Sequence, residues 1–126
     1  MPAKIQNSIL IIEDNDGFRE ALCCLIQEAG YPVKAVANGL EASRLLEAET
    51  FALVFTDMFM PEKDGFQVIR DLHKTHPDLP VVAMSGGEIV RKGEHLKVAQ
   101  FFGARAILKK PFKEEQLLST IKKLLG

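Results

Sequence analysis

Five residues of unlike chemistry stand where short apolar runs stop: Glu13 and Asp14, then Asp57, Ser85 and Lys110. Three carboxylates brought to one place repel one another and hold protons more tightly unless a cation offsets them. Their oxygens are hard ligands of the kind Mg2+ takes while keeping several of its waters, so a divalent metal is implied. A lysine ammonium and a serine hydroxyl are poor ligands for such an ion, but both donate well to an anion such as a phosphoryl group. Carboxylates, metal, lysine and hydroxyl together describe a phosphoryl-transfer site, provided that the fold gathers them.

The elements that must do the gathering follow from periodicity. At 126 residues, 47% hydrophobic and 26% charged, the chain has the size and composition of one ordinary globular domain. Apolar runs such as Ile9 to Ile12 fall far short of the roughly 20 residues that span a bilayer, and the first residues do not read as a signal peptide, so a cytoplasmic protein without a membrane segment is expected. Strands are expected at Ser8–Ile12, Val33–Val36, 51–56, 81–84 and 105–109. Between and after them lie segments of helical period: Phe18, Leu22, Leu25, Ile26 and Ala29 up to Gly30; Ala42, Leu45 and Leu46 after an Asn38-Gly39 turn; Phe66, Ile69 and Leu72; Leu96, Ala99 and Phe102 up to Gly103; and Leu117, Leu118, Ile121, Leu124 and Leu125. The stretch 88–93 carries that period weakly.

Strands alternating with helices predict an α/β, doubly wound, five-stranded parallel sheet with five helices on its two faces, because parallel neighbours need right-handed crossovers. Ligands of such sheets sit beyond the carboxyl ends of the strands. Glu13, Asp14, Asp57, Ser85 and Lys110 all fall there, and packing alone requires none of them.

At these residues the sequence resembles the receiver domain of two-component response regulators. The resemblance runs through Ile11-Ile12-Glu13-Asp14, the segment from Asp57 to Gly65, Ser85-Gly86, Gly103-Ala104 and Lys110-Pro111-Phe112, and covers essentially the whole chain. It implies a flavodoxin-like fold of strand order 2-1-3-4-5, with Asp57 as acceptor of a phosphoryl group from a sensor histidine kinase or a histidine phosphotransfer protein. It further implies that Asp14 and Asp57 bind Mg2+ directly, that Glu13 acts through a metal-bound water, and that the backbone carbonyl of Phe59 completes the protein ligands. Lys110 would hold a phosphoryl oxygen, aimed by a cis bond to Pro111, and Ser85 would turn inward to bond the group once formed. A downstream protein target would dock on the fourth helix, fifth strand and fifth helix. The receiver pattern accounts for residues 1–126, which leads to the expectation of a single receiver without an output module and without direct contact with nucleic acid.

Some features depart from that family or extend the reading. Ile107 stands where receivers usually carry Tyr or Phe, so the switch here would repack a branched aliphatic side chain. The stretch from Ser85 to Gly103 is a few residues longer than usual, which predicts an irregular start to the fourth helix over 88–93. Gly86 leaves the phosphorylation site open, and Phe59 is placed to shield an acyl phosphate from water. Taken singly, Glu13 and Asp14 read as helix-start charges, Asp57 as a turn former, Ser85 as a helix cap and Lys110 as a solvated charge. In register they read as one site. Lys109 is the solvated neighbour, His73 and His76 mark a surface helix end, and Cys23 and Cys24 are small reduced residues in or near the core.

Charge follows the same division. Residues 1–63 carry 10 acids and 5 bases, net −5, whereas residues 64–126 carry 7 acids and 11 bases, net +4, within an overall charge of −1. The acidic half contributes the metal pocket and the basic half Lys110 and the docking face. Two other functions share the constellation. A Mg2+-dependent phosphohydrolase of the haloacid-dehalogenase type would need a second Asp where Phe59 stands, and a receiver-like interaction module would bind partners without phosphorylation. A flavodoxin-like flavin site is disfavoured by the acids after the first strand, which would repel its phosphate.

Overall fold

The computed structural model of the protein describes residues 8–58, 65–85 and 103–125. Five strands, β1 (Ser8–Ile12), β2 (Val33–Val36), β3 (Phe51–Asp57), β4 (Val81–Ser85) and β5 (Ala106–Lys109), form one sheet. Its order is β2-β1-β3-β4-β5 with every neighbouring pair parallel, as expected. Four helices are described: α1 (Asp16–Glu28), α2 (Gly39–Ala48), α3 (Gly65–Thr75) and α4 (Glu114–Leu125). The expected helix between Ser85 and Gly103, its irregular start over 88–93, and the roles given to Phe59 and Gly86 lie outside the described residues.

Alternation along the strands explains why helices cover both faces. On one face Leu10, Ile12, Val54, Val81 and Ala83 pack with Ala42 of α2 and Val68, Ile69 and Leu72 of α3. On the other, Ile9, Ile11, Leu53, Phe55, Val82, Met84 and Leu108 pack with Leu22 and Ile26 of α1 and Leu117 and Ile121 of α4. Each fully buried Ile, Leu or Phe contributes about 1.5–3 kcal/mol against the entropy of ordering the chain. A register shift lies between Ser8, paired with Phe51, and Ile9, paired with Leu53. Skipping Ala52 lets Phe51 and Leu53 enter opposite core clusters despite their spacing of two.

Caps fix where the helices begin. Asn15 Oδ1 accepts from the Phe18 N–H at 2.8 Å to start α1, and Asn38 Oδ1 accepts from the Glu41 N–H at 2.9 Å to start α2. Glu41 Oε1 in turn accepts from the Ala37 N–H, a reciprocal arrangement akin to a capping box. Asn38 and Gly39 therefore open α2 rather than forming a separate turn before it.

Asp57 and Ser85 are the last residues of their strands rather than the first residues beyond them, and β5 begins at Ala106 rather than at 105. The cysteines need a second correction. Both are free thiols as expected, but only Cys23 is half-buried while Cys24 is exposed, because neighbours on a helix point about 100° apart and only one can face the sheet. Among the described residues no helix is long and apolar enough to cross a membrane.

Gly103 precedes β5 with φ +115, a conformation disfavoured for any residue with a Cβ. A Cβ there would also lie 2.8 Å from His73 Nδ1 at the end of α3. Gly103→Ala should cost about 1–3 kcal/mol in urea denaturation. Adding His73→Ala should recover only the part of that loss due to the clash. Equal stability of Gly103→Ala and the parent would contradict this account.

Candidate functional site

The carboxyl end of the sheet is built by backbone ladders that run past the strands. Glu13 N–H donates to the Val36 carbonyl at 3.0 Å, Met58 N–H to the Met84 carbonyl at 2.9 Å, and Lys110 N–H to the Ser85 carbonyl at 2.7 Å. Each bond pins the residue that carries, precedes or faces a polar side chain of the rim. Asp57 pairs with Met84 across β3 and β4, and Ser85 with Lys109 across β4 and β5, so Asp57, Ser85 and Lys110 arrive on adjacent strands at one height. The Lys110-Pro111 bond is cis, as the resemblance implied.

Side chains then converge. Lys110 Nζ lies 2.8 Å from Glu13 Oε1 and 3.3 Å from Asp57 Oδ1. Glu13, Asp57 and Ser85 are buried, with Glu13 only 1% exposed. A carboxylate so deeply buried is tolerable only when its oxygens are bonded. Glu13 Oε2 accepts from the Asn15 N–H at 3.1 Å, and its backbone carbonyl accepts from the Arg19 guanidinium at 2.9 Å. Arg19 is itself held by Asp16 at 2.6 Å.

Asp57 is less well compensated. Burial, followed by the negative charge of Glu13, pushes its carboxyl up from 3.8 to about 6; Lys110 opposes the rise, and Asp14 adds a little to it. One oxygen from each of Glu13, Asp14 and Asp57 lies within 4.8 Å of the others, with Asp14 exposed to solvent. Two ligands of one Mg2+ stand at most about 4.2 Å apart, so a small movement or one intervening water reconciles the cluster with that ion. An all-carboxylate donor set with surplus negative charge at Asp57 fits a hard divalent cation.

Two aromatic rings complete the surroundings. Lys110 Nζ sits 4.5 Å from the centroid of the Phe18 ring, and Phe112 meets that ring edge-on with centroids 5.7 Å apart. The five polar residues expected at the strand ends are thus brought together. Asn15, Arg19 and the aromatic contact to Lys110 were missed. The Asn15 cap three residues before Phe18 and the Asp16–Arg19 spacing were the available signals. Lys109 is exposed, and His73 and His76 lie at the far end of α3, away from the carboxylates. A groove of about 480 Å3 between α2 and α3, floored by Ala42, Leu46, Val68 and Leu72, contains none of the rim carboxylates.

The model of the response regulator receiver domain family matches residues 9–122. The chain is a response regulator receiver domain. It is 32% identical over 117 residues to the response regulator receiver protein CpdR of Brucella abortus (strain 2308), covering 93% of this chain and 95% of that protein. With the sensor kinase CckA of the same organism it shares 35% identity over 120 residues, which are 94% of this chain and 12% of the kinase. With the response regulator MprA of Mycolicibacterium vanbaalenii it shares 34% identity, covering 93% of this chain and 49% of that protein. The chain therefore spans a minor part of the kinase and about half of MprA. Among solved structures, the receiver domain of a histidine kinase from Syntrophus aciditrophicus superposes with a TM-score of 0.85 at 32% identity, over 94% of this chain and 89% of that one. The chemotaxis protein CheY4 of Vibrio cholerae gives 0.85 at 25% identity, over 94% and 98%. Receiver domains are signalling modules that bind Mg2+ at an acidic pocket, and the receiver described here has its acidic cluster at that rim.

Asp57 makes stability depend on pH. Its folded carboxyl holds a proton more tightly than the unfolded one, so its contribution to stability is fully present below about 3.8 and is lost as pH rises through about 6. In metal-free buffer at pH 8, Asp57→Asn should be more stable than the parent by about 1–3 kcal/mol, with the difference closing below pH 4. Denaturation series across that range test this, and a variant less stable than the parent at pH 8 would refute it.

Proposed function

We propose that this receiver takes a phosphoryl group onto Asp57 from a phosphohistidine of a sensor kinase or a histidine phosphotransfer protein, and that the added charge changes its affinity for a protein partner. The observation that carries the reading is the Lys110 ammonium held between Glu13 and the buried Asp57. A carboxylate attacks phosphorus efficiently only where the incoming negative charge meets fixed positive charge, and Lys110 supplies it without having to be brought in from solvent.

In the transfer an ionised Asp57 oxygen forms the new O–P bond while the donor's N–P bond breaks, and the electron pair of that bond returns to the imidazole nitrogen. Lys110 moves its hydrogen bond from the Asp57 carboxylate toward a phosphoryl oxygen, and the Ser85 hydroxyl donates to another. Asp14 and Asp57 would hold Mg2+ directly and Glu13 would act through a water, with the Phe59 backbone carbonyl assigned by family resemblance alone; the ion would supply positive charge against the transferring group. Hydrolysis of the acyl phosphate resets the domain, so the chemistry is confined to its own modification.

Ile107 is positioned to couple the rim to the partner face. It is half-buried against the core cluster shared with α2 and α3, and it pairs with Ala83 two residues before Ser85. The partner face comprises β5, α4 and the segment between Ser85 and Gly103, and the ligand is a protein rather than nucleic acid or membrane. Exchange with a sensor kinase places the receiver in the cytoplasm.

Incubation with a small acyl-phosphate donor and Mg2+ should add one phosphoryl group to the intact protein, read by mass spectrometry, and Asp57→Asn should abolish the adduct. Lys110→Ala, once shown to be folded, should slow its formation by about a hundredfold or more. Turnover of the donor without an adduct would indicate a phosphohydrolase instead. No reaction under any condition would leave a receiver-like interaction module.

A further inference from the structure

Lys110 reaches the rim on a long flexible stem, and the two carboxylates beside it do not hold it symmetrically. The ammonium is closer to Glu13, at 2.8 Å, than to Asp57, at 3.3 Å. The stronger attraction therefore points away from the carboxyl that is modified, and the lysine side chain is still 21% exposed. A third contact is the face of the Phe18 ring, 4.5 Å from Nζ. An aromatic face attracts a cation through its quadrupole, and this attraction does not change when a neighbouring carboxylate gains a proton, a metal or a phosphoryl group.

The ring is itself fixed from two directions. Its backbone N–H is the one that Asn15 caps at 2.8 Å, which ties Phe18 to the first turn of α1. Its edge-on partner, Phe112, stands two residues after Lys110 and holds the ring plane at 75° to its own. Asn15 N–H also donates to the Glu13 carboxylate that accepts from Lys110. Glu13, Asn15, Phe18 and Lys110 thus form a closed circuit of contacts in which each member orients the next.

We propose that Phe18 is a positioning residue for the transfer, holding the Lys110 ammonium over Asp57 through its ring face so that the lysine is in place when the phosphoryl group arrives. The proposal rests on the reading of Asp57 as phosphoacceptor. Its chemical requirement is an aromatic face at position 18, which distinguishes it from a requirement for apolar bulk. Leucine keeps most of the bulk and packing but has no quadrupole; tyrosine keeps both.

The test compares the parent with Phe18→Leu and Phe18→Tyr by two measurements. The first is the NMR shift of the Lys110 side-chain protons nearest Nζ, which a ring face moves upfield. The second is the rate of adduct formation with a small acyl-phosphate donor and Mg2+. Phe18→Leu should lose the upfield shift and form the adduct about three- to tenfold more slowly, an effect of the size expected for one cation–ring contact. Phe18→Tyr should retain the shift and stay within about twofold of the parent rate. An unchanged Lys110 shift in Phe18→Leu, an unchanged rate, or equal slowing in both variants would overturn the proposal, the last showing a packing role alone. If the parent forms no adduct, the phosphoacceptor reading fails, while the Lys110 shifts still decide whether Phe18 holds the ammonium.

Discussion

Placing two carboxylates almost entirely out of water at the end of a sheet is unfavourable unless positive charge goes with them, and the rim depends on how the Lys110 ammonium meets that requirement. Removing one partner of such a group leaves a buried charge uncompensated, which costs far more than the net worth of the pair. Lys110 gives its shortest bond to Glu13, whose other oxygen and backbone carbonyl are also bonded, and only its longer one to Asp57. The result is an unequal pair of acids: Glu13 is anchored on all sides, whereas Asp57 keeps surplus proton affinity and is the group with most to gain from a cation. That inequality gives the two acids different chemical characters, one held as scaffold and one left with unmet demand for positive charge.

What lets a single ammonium reach both acids is the parallel sheet. Parallel strands deliver their carboxyl ends to one edge of the layer, and the backbone bonds from Glu13 to Val36, Met58 to Met84 and Lys110 to Ser85 carry the ladder into the rim, so the polar residues start from ordered backbone. The two core clusters make this edge rigid from either side, α1 and α4 through Ile9, Ile11 and Phe55, α2 and α3 through Leu10, Ile12 and Val54. The rim is therefore shallow and solvent-accessible at Asp14 while its floor is tightly packed.

Much of this was legible in the sequence because the strands are apolar on both faces. Runs such as Ile9 to Ile12 and 53–55 could be placed as strands, and the polar residue ending each run followed from that placement, whereas the order of the strands in the sheet came from the family resemblance. The strand ends at Asp57 and Ser85 were placed one residue too early, because an acid or hydroxyl breaks the apolar pattern while the backbone continues to pair. The bonds around Glu13 were illegible for a different reason: the Asn15 N–H and the Arg19 guanidinium reach it only through the loop conformation entering α1, which periodicity does not specify. Phe18 fitted the helical stripe of core residues, and nothing in its spacing distinguished packing against the sheet from facing an ammonium. The exposure of Cys24 followed from helix phase, which adjacency alone left open.

The bond between Glu13 and Lys110 joins residues 97 positions apart, linking the first strand to the segment after the last. During synthesis from the N-terminus, Glu13, Asp14 and Asp57 are all made long before the residue that neutralises them. An unfinished chain thus holds the acidic trio without the Lys110 ammonium, and the charged rim is complete only once the closing strand of the sheet has been made. Assembly of the rim is in this way tied to completion of the fold.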